Sequence, residues 1–248
     1  MTAGFGRDAV LLMSDVHAHY HVVDMQIAHA EELIGHPISE VIVLGDFGLF
    51  GPDMHRYFRR GKHRFLRPVS FIDGNHEDFV AFDRLVADFE DVVTYLPRSS
   101  VHAMGRLRAL CLGGARYMDA WSTPRGSEIT EEDIAHAFAV APGAVDMVLS
   151  HDCPSGIGVT SAPDLDHLGE PGIDSLARLA DHLRPRLWVF GHHHRWHDLE
   201  RDGTRYLGLP QSWQGFAIID GEGEIRRVDH EVRLPRRPRW WRLIGLRA

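Results

Sequence analysis

The chain has 248 residues, 44% hydrophobic and 25% charged, an ordinary globular composition with room for one large domain or two small ones. A formal net charge of −8 argues against broad nucleic-acid binding, and two cysteines, Cys111 and Cys153, exclude a disulfide framework and point to a reducing, cytoplasmic setting. Too few residues precede the first apolar run for a signal peptide, and no apolar run approaches the ~20 residues of a membrane span.

Ala9 to Met13 is a continuous apolar run, the pattern of a strand buried on both faces, and it breaks at Ser14-Asp15-Val16-His17. Asp15 and His17 are two apart. In a near-extended segment both side chains point to one side, so a carboxylate and an imidazole can share one metal. His19 and His21 continue the alternation where the chain turns helical, and read as surface residues or as supports behind the ligands. Val23, Ile27, Ala30 and Ile34 mark a helix over 20–34 that Gly35 ends.

Val41 to Leu44 is the next apolar run, stopping at Gly45-Asp46. Strand, helix, strand implies parallel pairing with a right-handed crossover. The pattern predicts a second helix from Pro52 to Leu66 and a third strand from Val69 to Ile72, running into Asp73-Gly74-Asn75-His76-Glu77. Gly74 is expected to allow a turn that a residue with a Cβ would resist. Asp15, Asp46 and Asn75 then sit at the carboxyl ends of consecutive strands, where open α/β sheets bind ligands.

Phe79 to Phe89 is helical in pattern. Ser99–Ala103 and Arg106–Leu112 read as a hairpin joined by Met104-Gly105. Thr130 with Asp133 is an acidic variant of the capping box that opens a helix. Val145 to Leu149 ends at Ser150-His151-Asp152, Gly172 to Leu183 is helical, and Leu187 to Phe190 ends at Gly191-His192-His193-His194. Segments 198–202, 205–209, 216–220 and 224–229 read as antiparallel strands with turns at Asp202-Gly203 and Asp220-Gly221. No repeat or linker separates two domains, so the expectation is an α/β fold of two sheets packed face to face with helices outside.

Five apolar runs thus end in metal-ligand residue types: Asp15 and His17, Asp46, Asn75, His151, then His192 and His194. Carboxylate, imidazole and amide without thiolate suit Mn²⁺, Fe²⁺ or Zn²⁺ better than a structural zinc site. Cys153, two residues past His151, reads as a small apolar residue and is given no role.

In that order, DxH, GD, GNHE, a lone His after a strand and GHxH resemble the calcineurin-like metallophosphoesterases, over roughly three quarters of the chain from Asp15 to His194. The resemblance implies a four-layer α/β/β/α sandwich of two mixed sheets flanked by helices, with the metallophosphoesterase domain over 1–230. It also implies a two-metal centre at the strand ends. Carried over by motif, Asp15, His17, Asp46 and His194 would hold one metal, and Asp46, Asn75, His151 and His192 the other, with Asp46 bridging. His76 would be the general acid, oriented by Asp73, Glu77 or Asp78, and His193 fills the variable position of GHxH. Manganese is the first expectation for both ions, with iron or zinc as alternatives.

The sequence departs from the GDxxDRG pattern of the protein Ser/Thr phosphatase branch. In Gly45-Asp46-Phe47-Gly48-Leu49-Phe50-Gly51, Leu49 stands where that branch has an acidic partner of the catalytic histidine, and Phe50 where it has a phosphate-binding arginine. This argues against phosphoprotein and diadenosine-polyphosphate substrates. Arg116, Arg125 and Arg195 are candidate substitutes for phosphate contact, and Tyr117, Trp121 and Trp213 are candidates to stack on a base.

The expected function is hydrolysis of small phosphomonoesters or phosphodiesters, nucleotides included. A metal-dependent nuclease is disfavoured by the acidic body, and a non-catalytic scaffold by the filling of every motif position. From Arg226 onward, eight arginines against Asp229 and Glu231 give +6, leaving −14 on the preceding 225 residues. The basic, aromatic tail at 231–248 is therefore expected to dock on its own acidic body or a second subunit, ahead of an anionic surface. No stable nucleic-acid complex is expected.

Overall fold

In the computed structural model, which describes residues 6, 8–118, 123–160 and 169–234, the apolar runs become strands of two six-stranded sheets. The first contains β1 (Val10–Met13), β2 (Glu40–Leu44), β3 (Val69–Ile72) and the short β4 (Thr94–Tyr95), all parallel. β11 (Gly215–Ile219) runs antiparallel beside β1, and β12 (Ile225–Asp229) forms the edge. The second contains β5 (Ser100–Met104) antiparallel to β6 (Leu107–Leu112), followed by β7 (Met147–Ser150) and β8 (Leu187–Phe190) in parallel. β10 (Thr204–Gly208) and β9 (His197–Arg201) complete it.

Strand alternation explains why the runs are apolar throughout. In β1, Leu11 and Met13 join Val23 and Ile27 of α1 (Tyr20–Ile34) in one core, whereas Val10 and Leu12 join Ile42, Ala109, Leu149 and Val189 between the sheets. A third core lies outside the second sheet, where Val148 and Trp188 meet Leu176, Leu179 and Leu183 of α5 (Asp174–Leu183). The central strands are thus sandwiched, and the four layers are helix, sheet, sheet, helix. α4 (Glu131–Phe138) is opened by the capping box, with the Thr130 side chain accepting from Asp133 N and Asp133 accepting from Thr130 N.

Several boundaries differ from expectation. The second helix does not reach Leu66. It comprises α2 (Gly51–Met54) and a π-helical segment, His55–Arg60, because the Gly61 amide closes a wide turn onto Arg56 O and Lys62 then turns left-handed. That turn buries Phe58 against Tyr20 and Phe65. α3 is confined to Phe82–Asp88, since Asp78 Oδ1 accepts from Ala81 N and the preceding residues turn. Met104 pairs with Leu107, which moves the hairpin turn to Gly105-Arg106. The last four strands pair antiparallel in twos, as expected. β9–β10 and β11–β12 are hairpins in different sheets, and β10 is parallel to β8.

No helix among the described residues is long and apolar enough to cross a membrane. The basic tail beyond residue 234 and Trp121 lie outside the described residues.

Candidate metal centre

The carboxyl ends of β1, β2 and β3 in one sheet and of β7 and β8 in the other meet at one place, because both sets of strands are parallel. The loops after β1 and β2 are laced together: Asp15 N donates to Gly45 O, His17 N to Asp46 O and Ala18 N to Phe47 O. Asp46 Oδ1 accepts from Asn75 N and His76 N, both at 2.8 Å, which binds the third loop to the second. From the other sheet, His194 Nε2 lies 3.0 Å from Asp15 Oδ1, and His151 Nε2 lies 3.0 Å from Asn75 Oδ1.

Donor atoms of Asp15, His17, Asp46 and His194 all fall within 4.8 Å of one another. His17 Nε2 is 3.8 Å from Asp15 Oδ1 and 3.7 Å from Asp46 Oδ2, and it is a buried nitrogen with no hydrogen-bond partner among the described residues. An orphaned imidazole nitrogen facing two buried carboxylates fits a cation. The other oxygen of Asp46 faces elsewhere: Oδ1 is 3.4 Å from His151 Nε2, whose ring is 4.9 Å from that of His192. His151 Nδ1 is 2.8 Å from Leu44 O; donation there leaves Nε2 with a free lone pair, the arrangement of metal-binding histidines.

The two carboxylates and two of the four histidines are shifted toward their ligating forms, whereas His151 and His194 are raised because Asp46 and Asp15 outweigh their burial. Burial would raise the Asp15 carboxyl, but His194, His151 and His17 reverse that and hold it well below the usual range. Asp46 is lowered in the same way by His151, His76 and His17. Burial lowers His17, and His192 is pushed down to about 3, so both favour the neutral form that ligates metals.

The local backbone is arranged around these residues. Five of the ten described non-glycine residues with positive φ are Asp15, His17, Asp46, His192 and His194, a concentration of backbone strain at one spot. Gly74 is needed for a reason other than the expected one. Its φ is not positive; instead a methyl group there would collide with the Asp46 carboxylate and backbone nitrogen. Gly45 combines positive φ with the same closeness, its missing Cβ pointing at the His151 ring.

None of the three carboxylates expected to orient His76 hydrogen-bonds its ring. Asp73 is held by Arg98 (Nη2 to Oδ2, 2.6 Å) and Tyr95 (2.9 Å), and Asp78 caps Ala81. The buried Glu77 accepts from Phe47 N at 2.9 Å and from Leu49 N. The His76 ring is half-buried, its centroid 5.4 Å from that of His17. Leu49 is fully buried, so its position offers no polar group to the site. Among the arginines, Arg195 donates to Thr160 Oγ1 and His193 O, Arg116 Nη1 donates to Glu170 O, and Arg125 is exposed. Trp213 stands 6.1 Å from His17 and 5.4 Å from His19, ring to ring. Arg98 does not stand out in the sequence from ordinary charged residues, and Glu77, expected as a partner of His76, instead clamps the backbone amides of Phe47 and Leu49.

The sequence matches the calcineurin-like phosphoesterase family over residues 9–196. The chain belongs to this family. Its members use divalent metals, and hydrolase chemistry is the activity that membership suggests. Similar solved structures include the TT1561 protein of Thermus thermophilus, with a TM-score of 0.60 at 13% identity, covering 89% of this chain and 98% of that one. The phosphopantetheinyl hydrolase PptH of Mycobacterium tuberculosis gives 0.56 at 14% identity over 89% of this chain and 95% of that one. The sulfate thiohydrolase SoxB of Thermus thermophilus gives 0.53 at 13% identity over 93% and 58%. At these identities the likeness establishes the fold. No curated protein sequence matches the chain significantly.

Proposed function

We propose that this member of the family is a dinuclear metal-dependent phosphoesterase acting on small phosphomonoesters or phosphodiesters, nucleotides among them. The observation that carries the reading is the division of labour at Asp46. Oδ2 faces His17, in the cluster with Asp15 and His194, whereas Oδ1 faces His151 beside Asn75 and His192. On this reading Asp15, His17, Asp46 and His194 hold one ion, Asp46, Asn75, His151 and His192 the second, and manganese is the first choice over iron or zinc. When bound, two dications would lower the pKa of a water and neutralise charge on the phosphoryl oxygens.

The chain's own groups then have separable tasks. The Asn75 and His76 amides fix Asp46 in place, and the Leu44 carbonyl fixes the His151 tautomer. His76, beside the cluster and partly open to solvent, is assigned to protonate the leaving oxygen. Arg116, Arg125 and Arg195 are the phosphate contacts proposed in place of the missing arginine at Phe50. The two free, buried cysteines suit a cytoplasmic setting.

The test is a panel of p-nitrophenyl phosphate, bis-p-nitrophenyl phosphate, nucleotides and a phosphoserine peptide, assayed with manganese-loaded protein. Turnover of at least one small ester is expected, at ~10-fold or more above the peptide and lost in His192→Ala. No turnover of any ester by the metal-bound protein would favour a scaffold, and peptide turnover equal to the best small ester would refute the substrate class.

A further inference from the structure

One residue beyond the proposed catalytic ligands, two of the same loops bring together a different set of donors. Asp152 and Cys153 follow His151, and His193 lies between His192 and His194. His193 Nε2 is 3.1 Å from Asp152 Oδ1 and 3.3 Å from Cys153 Sγ. Together the three donor atoms lie within 4.8 Å of one another. Asp152 and Cys153 are buried, and the His193 side chain is 15% exposed.

We propose that Asp152, Cys153 and His193 form a third, mononuclear metal site for a thiophilic dication of the zinc class. Zinc bonds of ~2.3 Å to sulfur and ~2.0–2.2 Å to nitrogen and oxygen give tetrahedral ligand-to-ligand edges of ~3.4–3.6 Å. The two edges in the structure fall a few tenths of an ångström inside that, so a small outward movement seats the ion. The charges also close. A carboxylate, a thiolate and a neutral imidazole together carry −2, which one dication cancels in a buried place where an imbalance would be costly.

The competing reading, an Asp-His-Cys nucleophile relay, fails on geometry. Such a relay needs the two ring nitrogens to face different partners, whereas Asp152 and Cys153 here both address Nε2. Burial also pushes the Cys153 thiol up, away from a free thiolate; a metal must displace that proton to bind.

The frame is already braced for a ligand. Asp152 Oδ2 accepts from Arg116 N at 2.9 Å and Oδ1 from Cys153 N at 2.7 Å. Cys153 O accepts from Ile173 N at 2.9 Å, and His151 O from Gly191 N at 3.0 Å. The donors therefore keep their places while lone pairs stay available. Thiolate is what separates this site from the catalytic one, whose proposed ligands include none, so zinc or cobalt is preferred here over manganese. An ion here would tie the loop after β7, carrying His151, to the loop after β8, carrying His192 and His194.

Cobalt(II) titration of the metal-free full chain tests this, because thiolate-to-cobalt charge transfer reports sulfur ligation without reference to activity. The expected result is a near-ultraviolet charge-transfer band that zinc abolishes, that persists in Cys111→Ser, and that disappears in Cys153→Ser and His193→Gln. No band in the wild type, or a band that follows Cys111, would overturn the proposal. Zinc-edge X-ray absorption of manganese-loaded wild type given one equivalent of zinc needs no variant. A sulfur shell at ~2.3 Å is expected, and a purely nitrogen and oxygen shell would overturn it. Both readouts report sulfur ligation, which the two-metal phosphoesterase reading does not involve, so their failure leaves that reading standing.

Discussion

His76 and Asn75 are neighbours with different surroundings. The Asn75 amide oxygen points inward to His151, whereas the His76 ring lies at the rim against His17. If His76 protonates the leaving oxygen, its value depends on how badly that oxygen needs a proton. General acid catalysis contributes ~10²–10⁴-fold, so His76→Asn should slow an alkyl or nucleoside ester by about that factor and a p-nitrophenyl ester far less. Metal content should be unchanged, and equal losses across leaving groups would rule out the acid role. Gly74→Ala makes a different prediction, because its new methyl meets the Asp46 carboxylate. Overpacking of that kind costs ~1–3 kcal/mol, and metal retention should fall with Asp46 displaced; a variant with full metal content would contradict the close-approach argument. The ligand types were legible in the sequence because polar residues ending apolar runs are conspicuous. The reason for Gly74 was not, since it lies in a neighbour 28 residues away in the chain, Asp46.

Between loops and strands, the GNHE segment is held by residues that no local pattern reveals. Arg98, just before β5, reaches Asp73 with two nitrogens and Asp133 with a third contact, joining the end of β3 to the start of α4. Asp73 is 1% exposed and the Arg98 side chain 12%, so the pair is effectively buried. Removing one partner of a buried pair costs ~3–5 kcal/mol. Arg98→Met should therefore lower the thermal midpoint markedly, and Arg98→Lys should recover only part of it because the bidentate contact is lost. A midpoint unchanged in Arg98→Met would show that the pair is not holding the loop. Strands were easier to read than helices for a physical reason. Burial on both faces leaves an unbroken apolar run, whereas the π-helical turn at His55–Arg60 follows from how Phe58 packs against Tyr20, Phe65 and Phe89. Likewise Thr94–Tyr95 is too short to show a period, and pairs only because β3 offers an open edge.

Across the whole molecule, two sheets were expected, but the assignment of the last strands to them was not legible. Hairpins β9–β10 and β11–β12 have similar patterns, and only the register of β11 with β1 and of β10 with β8 separates them. The convergence of both sheets at one end also concentrates buried carboxylates. Burial would raise Asp152, but His192, His193 and the Arg116 amide hold it below the usual carboxylate range; Asp15 and Asp46 are lowered by their histidines in the same way. A depressed folded-state pKa gives stability that is present above the unfolded carboxylate value of ~3.9 and lost as pH falls through the folded value. The metal-free protein should therefore lose thermal stability as pH drops below about 4, and Asp152→Asn should flatten that dependence. A midpoint independent of pH across this range would contradict it.

In the proposed centre one carboxylate, Asp46, serves two ions. Manganese content per chain after loading and desalting, in the wild type and in Asp46→Asn, tests that directly. The shared bridge predicts about two ions in the wild type and loss of both together in the variant. A wild-type ratio that stays at zero, or an Asp46→Asn protein that retains the full complement, would contradict it.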